Sequence, residues 1–235
     1  MAYIEGVVGV LLQENLADIN KRLKGAALTA HTPLESITLV AVSKSVSKAA
    51  IEQAWNLGVR HFGENRLQEA VAKIPALPSE IYWHFVGHLQ TNKVRQVIDH
   101  FQLIQSLDRM KLAYVLQKEG EKRGRVINAL LQVNIGNEKS KSGFHPADVN
   151  RALEEIAGLS NLKVRGLMTI APYFQDPEEV RPYFRAMKDL YLNTRIPNVQ
   201  MEYLSMGMTH DFEIAVEEGA NMIRLGTALF GERDY

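Results

Sequence analysis

The chain has 235 residues, 46% of them hydrophobic and 23% charged, with 27 basic side chains matched by 27 acidic ones. That supplies core enough for one large domain or two small ones, and a net charge of zero lacks the basic excess of a non-specific nucleic-acid binder. Cysteine is absent, which excludes disulfides, thiolate catalysis and Cys-ligated metal sites, and fits a reducing cytosol.

No apolar run approaches the roughly 20 residues needed to cross a bilayer. The early run Val7 to Leu12 has no basic residue before it and no small-residue cleavage site after it, unlike a secretory signal. A cytoplasmic protein with no membrane or nucleic-acid partner is expected. From Ile4, the apolar positions Ile4, Val8, Leu11, Leu16, Ile19 and Leu23 predict an amphipathic helix ending near Gly25, within an N-terminal segment 1–28 that precedes a barrel over 37–235.

Ile37 to Val42 is apolar on both parities and rich in β-branched residues, as a strand buried on both faces requires. Ala49 to Leu57 reads as a helix closed by Gly58. Further strands are expected at His61–Gly63, Tyr82–Val86, Leu103–Leu107, Ala129–Asn134, Val164–Ile170, Glu202–Ser205 and Met222–Leu225. Helices are expected at Leu67–Lys73, Lys93–His100, Met110–Lys122, Pro146–Ala157, Glu178–Leu192 and Asp211–Glu218. About eight βα repeats result, ending just after the last strand. Roughly 250 residues is typical of a (β/α)8 TIM barrel, although open doubly wound sheets share the alternation. No G-x-G-x-x-G follows the first strand, and no linker divides the chain, so one domain is expected.

In a barrel the chemistry sits where strands end and βα loops begin. Side chains alternate along a strand, so Val40, Val42 and Lys44 share a face. If the valines fill the interior, Lys44 points inward at the rim, where partial desolvation frees an amine to form a Schiff base with an aldehyde. The alternative is a lysine that snorkels to water. Ser205-Met206-Gly207-Met208-Thr209 follows the seventh strand and Arg224-Leu225-Gly226-Thr227 ends the eighth, the recurring phosphate site of this architecture. Ser205 and Thr227 would add hydroxyl donors; helix capping is the bland explanation of Thr209 and Asp211. An amine facing a phosphate clamp suggests a phosphorylated aldehyde.

These segments, together with Val42-Ser43-Lys44, Phe62-Gly63-Glu64-Asn65 with Gln68-Glu69, Trp83 to Gly87, Lys141-Ser142-Gly143, Arg165 to Met168, Leu204 to Met208 with Asp211, and Arg224 to Thr227 running to Phe230-Gly231, resemble the pyridoxal phosphate homeostasis proteins. The resemblance runs from the first strand to the last residues. It implies a barrel of the alanine-racemase N-terminal type without the racemase's second domain, binding pyridoxal 5′-phosphate. Lys44 would be the Schiff-base lysine. Ser205, Gly207, Met208, Gly226 and Thr227 would hold the phosphate, Arg224 would face the pyridine nitrogen and Asn65 the phenolic oxygen. Met168, on the sixth strand, joins the site.

A guanidinium at the pyridine nitrogen disfavours ring protonation and weakens the electron sink; otherwise Arg224 reads as a structural salt bridge. A racemase also needs an acid/base group on the opposite face of the substrate, which in the racemases comes from the added domain. The expectation is therefore an intracellular carrier, monomeric, with apo-enzymes as recipients and little or no catalysis. The alternatives are a racemase-like enzyme and a Schiff-base aldolase. Val46 stands where the family often has a second lysine, with Lys48 later. Lys141 matches a family lysine considered as a second docking point, though a solvated loop is the plainer reading. Thr209 replaces a common serine.

Other signals are discounted. His84 and His88 lie about 13 Å apart along a strand, too far for one metal. Glu154-Glu155, Glu178-Glu179 and Glu217-Glu218 read as solvated helix faces. Tyr183, Phe184, Met187, Leu190 and Tyr191 have helical spacing and read as core.

Overall fold

The β-branched run after Ile37 does become the first of eight parallel strands. They are β1 (Thr38–Val42), β2 (His61–Glu64), β3 (Tyr82–Phe85), β4 (Leu103–Leu107), β5 (Ile127–Val133), β6 (Leu162–Thr169), β7 (Tyr203–Ser205) and β8 (Met222–Leu225). They hydrogen-bond in chain order and close, β1 against β8, with Val40 level with Arg224. This computed structural model describes residues 2–232, with side chains from Val10 onward.

Closure creates two cores, because alternate side chains point to opposite faces of a strand. Val40, Leu103, Leu130, Met168 and Met222, with Tyr82 and Tyr203 against them, fill the interior. Ala41, Phe62, Trp83, Ile104 and Leu131 face outward into the layer of helices. Those helices are α2 (Lys48–Asn56), α3 (Leu67–Lys73), α4 (Val94–His100), α5 (Met110–Lys122), α6 (Val149–Ala157), α7 (Arg181–Asn193) and α8 (Phe212–Glu217). Ser47 caps α2 by accepting the Ala50 N–H at 3.2 Å. Phe184 and Met187 on α7 are buried, and Tyr183, Leu190 and Tyr191 pack beside them, as their spacing predicts.

α1 (Ala2–Thr29) precedes the barrel and packs on α8 and on α9 (Thr227–Phe230), the short helix that follows β8. α1 runs past Gly25, which a single glycine in a packed helix permits. Its buried stripe is Leu12, Ile19, Leu23 and Ala26, with Leu16 beside them, whereas Leu11 is 49% exposed. The expected stripe was thus off by one residue at its start, a rotation of about 100°. Ile4 and Val8 lie outside the residues whose side chains are described. Arg22 ties α1 to α8 by pairing with Glu213 at 2.6 Å and lying over the Phe212 ring. α9 is absent from the sequence reading, since four residues carry no helical period.

Candidate functional site

The strand parity that fills the barrel also loads its upper layer. Two residues beyond the interior residues Tyr82, Leu103, Tyr203 and Met222 stand His84, Gln105, Ser205 and Arg224, so all four point inward, toward the ends of the strands. They are buried and joined. Arg224 donates from one terminal nitrogen to Ser205 Oγ at 2.6 Å and from the other to the Thr169 carbonyl at 2.7 Å. Ser205 donates to Gln105 Oε1 at 2.7 Å, and the Gln105 amide nitrogen meets His84 Nδ1 at 2.9 Å. His84 Nε2 meets His61 Nδ1 at 3.0 Å. Burial pulls the Arg224 guanidinium down to about 10, with Asp211 opposing that, so it remains a cation at neutral pH. Burial pushes His84 well below the ordinary histidine value, reinforced by His61.

Above this layer opens a cavity of about 510 Å³, lined by Lys44, Asn65, Gly87, Met208, Arg224 and Thr227 among others. That lies within the ~300–1,000 Å³ typical of small-molecule sites. Lys44, Arg224, His88 and His210 line it, and no described carboxylate does, so it favours an anion. The Asn65 side chain brings to this wall a buried Oδ1 that finds no protein partner. Thr209 Oγ1 sits 3.3 Å from Thr227 Oγ1 and accepts the Ala228 N–H at 3.3 Å, joining the loops after β7 and β8. Thr209 is thus a bridge rather than the cap of its own helix. Asp211 Oδ1 turns back to the Met208 N–H at 2.6 Å, and burial raises its carboxyl.

Lys44 lies in the tight turn after β1, where Ser45 takes φ +58°. The turn is held from both sides. Lys73 on α3 donates to the Ser43 carbonyl at 2.8 Å, and Glu69 accepts the Ser45 N–H at 2.8 Å. Lys73 also pairs with Glu64 Oε1 at 3.0 Å, as Ser43 Oγ does at 2.8 Å. Glu64 is fully buried and its Oε2 has no partner; burial raises its carboxyl against the pull of Lys73.

Six of the nine residues expected at the site line the cavity: Lys44, Asn65, Met208, Arg224, Gly226 and Thr227. Three do not. Met168 belongs to the interior apolar layer beneath. Gly207 is buried behind the β7 loop with φ +92°, where a Cβ would come within 2.6 Å of Ala215 Cβ, and its carbonyl accepts the Arg224 N–H. Ser205 is fully buried with its hydroxyl given to Gln105, so the expectation of a Ser205 phosphate donor is replaced by a hydroxyl that holds Arg224. Gln105 and Lys73 were given no functional place by the sequence, and Glu64 stood in the Phe62–Asn65 motif without a role. The signal for Gln105 was its parity with Leu103.

Against known proteins, the alanine racemase N-terminal domain family matches residues 12–234. A pyridoxal phosphate homeostasis protein of Aquifex aeolicus is 44% identical over 224 residues, covering 94% of this chain and 98% of that one. The chain belongs to the pyridoxal phosphate homeostasis protein family. PipY of Synechococcus elongatus PCC7942, solved with PLP bound, is 37% identical with a TM-score of 0.78, covering 94% of this chain and 100% of that one. Alanine racemase of Corynebacterium glutamicum shares the fold alone, at 17% identity and a TM-score of 0.74; the match covers 94% of this chain and 62% of the racemase.

Among family features, Val46 is buried and Lys48 begins α2, exposed. Lys141 is no free loop lysine. It pairs with Glu138 at 2.6 Å, donates to the Ala171 carbonyl at 3.0 Å and does not line the cavity. His84 points into the barrel, while His88 pairs with Asp108 at 2.9 Å. Glu178, Glu217 and Glu218 are not merely solvated faces, because Arg181 pairs with all three. No described helix is long and apolar enough to cross a membrane.

Proposed function

We propose that the chain binds pyridoxal 5′-phosphate at this mouth as a Schiff base on Lys44, and serves intracellular homeostasis and carriage of the cofactor with little or no amino-acid catalysis. The observation that carries the reading is the juxtaposition of Lys44 with the Thr209–Thr227 loops. Barrel closure makes β1 and β8 neighbours, so amine and hydroxyls stand side by side around one rim. The cofactor would supply an aldehyde, and Lys44 would hold it as a Schiff base with water as the other product, nothing being oxidised or reduced. Thr209, Thr227 and Gly226 receive the phosphate, Asn65 the phenolic edge, and Arg224 the ring nitrogen. Met168, Ser205 and Gly207 act beneath, as packing and support.

The carrier reading rests on what surrounds that amine. Proton abstraction from a bound amino acid needs a weak base on the second face. Among the described residues, neither tyrosine nor carboxylate lines the cavity; of the two histidines that do, His88 is tied to Asp108 and His210 lies against the Tyr173 ring, and Arg224 would donate where a strong electron sink needs a protonated ring. Cofactor bound here is parked, and apo-enzymes are its recipients.

Borohydride treatment of protein loaded with the cofactor should fix one pyridoxyl group on Lys44, read by peptide mass. Lys44→Ala should lose both the adduct and the visible absorbance of the Schiff base. An adduct elsewhere, or racemisation of alanine at an enzyme-like rate, would overturn the reading.

A further inference from the structure

The hydrogen-bond chain under Arg224 has a direction. A guanidinium can only donate. Ser205 Oγ accepts from it and gives its single proton to Gln105 Oε1. The Gln105 amide nitrogen then faces Met222 Sδ at 3.3 Å and His84 Nδ1 at 2.9 Å. A thioether sulfur can only accept, which places the amide N–H₂ there and makes His84 Nδ1 an acceptor. His84 must carry its proton on Nε2 and donate to His61 Nδ1. His61 is half-buried and lines a separate cavity at the base of the barrel with Thr38, Leu39 and Arg60. The chain therefore crosses the barrel interior within the layer under the cavity, from β8 and β7 through β4 to β3, and steps down once to His61 on β2.

We propose that Ser205, Gln105 and His84 are positioning residues for Arg224, which fix by this one-way chain which guanidinium N–H groups are spent inward and which are left for the cofactor ring. The inference rests on the reading of Arg224 as the partner of the ring nitrogen. Two of the five N–H groups are committed, to Ser205 and to Thr169, on opposite terminal nitrogens, so the plane of the guanidinium is set from below. Removing one support lets it rotate. The cationic charge stays, but its aim is lost. None of the three supports needs to touch the cofactor.

Two measurements test this. In the unmodified protein, ¹⁵N–¹H correlation spectra of the histidines should show His84 and His61 as neutral Nε2–H tautomers at neutral pH; an Nδ1–H tautomer at His84 would overturn the chain. Next, Ser205→Ala and Gln105→Met are loaded with cofactor labelled with ¹⁵N at the ring. Both should retain the borohydride-fixed adduct on Lys44, move the ring ¹⁵N resonance toward that of an unbonded pyridine, and weaken cofactor binding about tenfold, equivalent to about 1.4 kcal/mol. Ser205→Thr, which keeps the hydroxyl, should restore the resonance. An unmoved resonance in both variants refutes the positioning role. If Arg224→Lys also leaves the resonance unmoved, Arg224 does not face the ring and the premise falls with it. Absence of any Lys44 adduct in the unmodified protein instead overturns the functional reading itself.

Discussion

Substituting Lys73→Met tests the clamp under the Lys44 turn. The side chains of Lys73 and Glu64 are 12% and 0% exposed, and their 3.0 Å contact is joined by bonds to the Ser43 carbonyl and Ser43 Oγ. Removing one partner of a buried pair costs ~3–5 kcal/mol, because the remaining charge is buried uncompensated. Glu64 has an escape, since its carboxyl is already raised and can take up a proton. The loss should therefore fall near ~3 kcal/mol at pH 7, or a Tm lower by ~6–12 °C for a domain of this size. A carboxyl raised in the folded state binds protons more readily there than when unfolded, so its contribution improves as pH falls. The deficit of Lys73→Met should accordingly narrow between pH 7 and 5. Adding Glu64→Gln should recover at least half of it. Urea unfolding followed by fluorescence and circular dichroism measures each variant. A loss below ~1 kcal/mol that is the same at both pH values would refute the account. In the same variant the Ser43–Ser45 turn loses a support, and Schiff-base formation on Lys44 should slow.

Three other outcomes follow from the geometry. A Cβ at Gly87 would fall 2.2 Å from the Asn65 carbonyl oxygen, so Gly87→Ala should displace Asn65 and weaken cofactor binding at least tenfold, measured by equilibrium titration, while most of the fold survives. Burial holds His84 well below its unfolded value near 6.5, so the unfolded chain binds more protons as pH drops. Its contribution is intact above pH 6.5 and lost below it by up to ~1.4 kcal/mol per pH unit; His84→Gln should flatten that slope in urea midpoints taken from pH 7 to 5. Replacing Arg22 with Leu cuts the Glu213 tie of α1, yet this partly exposed pair should cost no more than ~1 kcal/mol by thermal unfolding.

The βα alternation and the inward set of Val40 and Lys44 were legible because strands and helices have different hydrophobic periods, and those periods are local. Strand limits in β4 and β8 agree with the expectation to the residue. Gly226 and Thr227 after β8 and Met208 after β7 were also legible as residues of the cavity wall, whereas the smallness of Gly207 answers to its φ of +92° and to Ala215. Ser205 was misplaced on the same logic. Its neighbours in sequence are the loop residues, whereas its hydrogen-bond partners are Gln105 and Arg224, 100 and 19 positions away.

By itself, then, the order of residues determined the repeat and the rim on which the candidate site stands, since each follows from neighbours a few positions apart. Tertiary structure alone decided that the sheet closes, and with closure came the adjacency of Lys44 to the loops after β7 and β8 and the hydrogen-bonded line from His61 to Arg224. The physical reason is that β1 meets β8, and β4 meets β7 across the interior, only when eight twisted strands have turned full circle. No local pattern in the chain encodes how those distant polar side chains satisfy one another away from water.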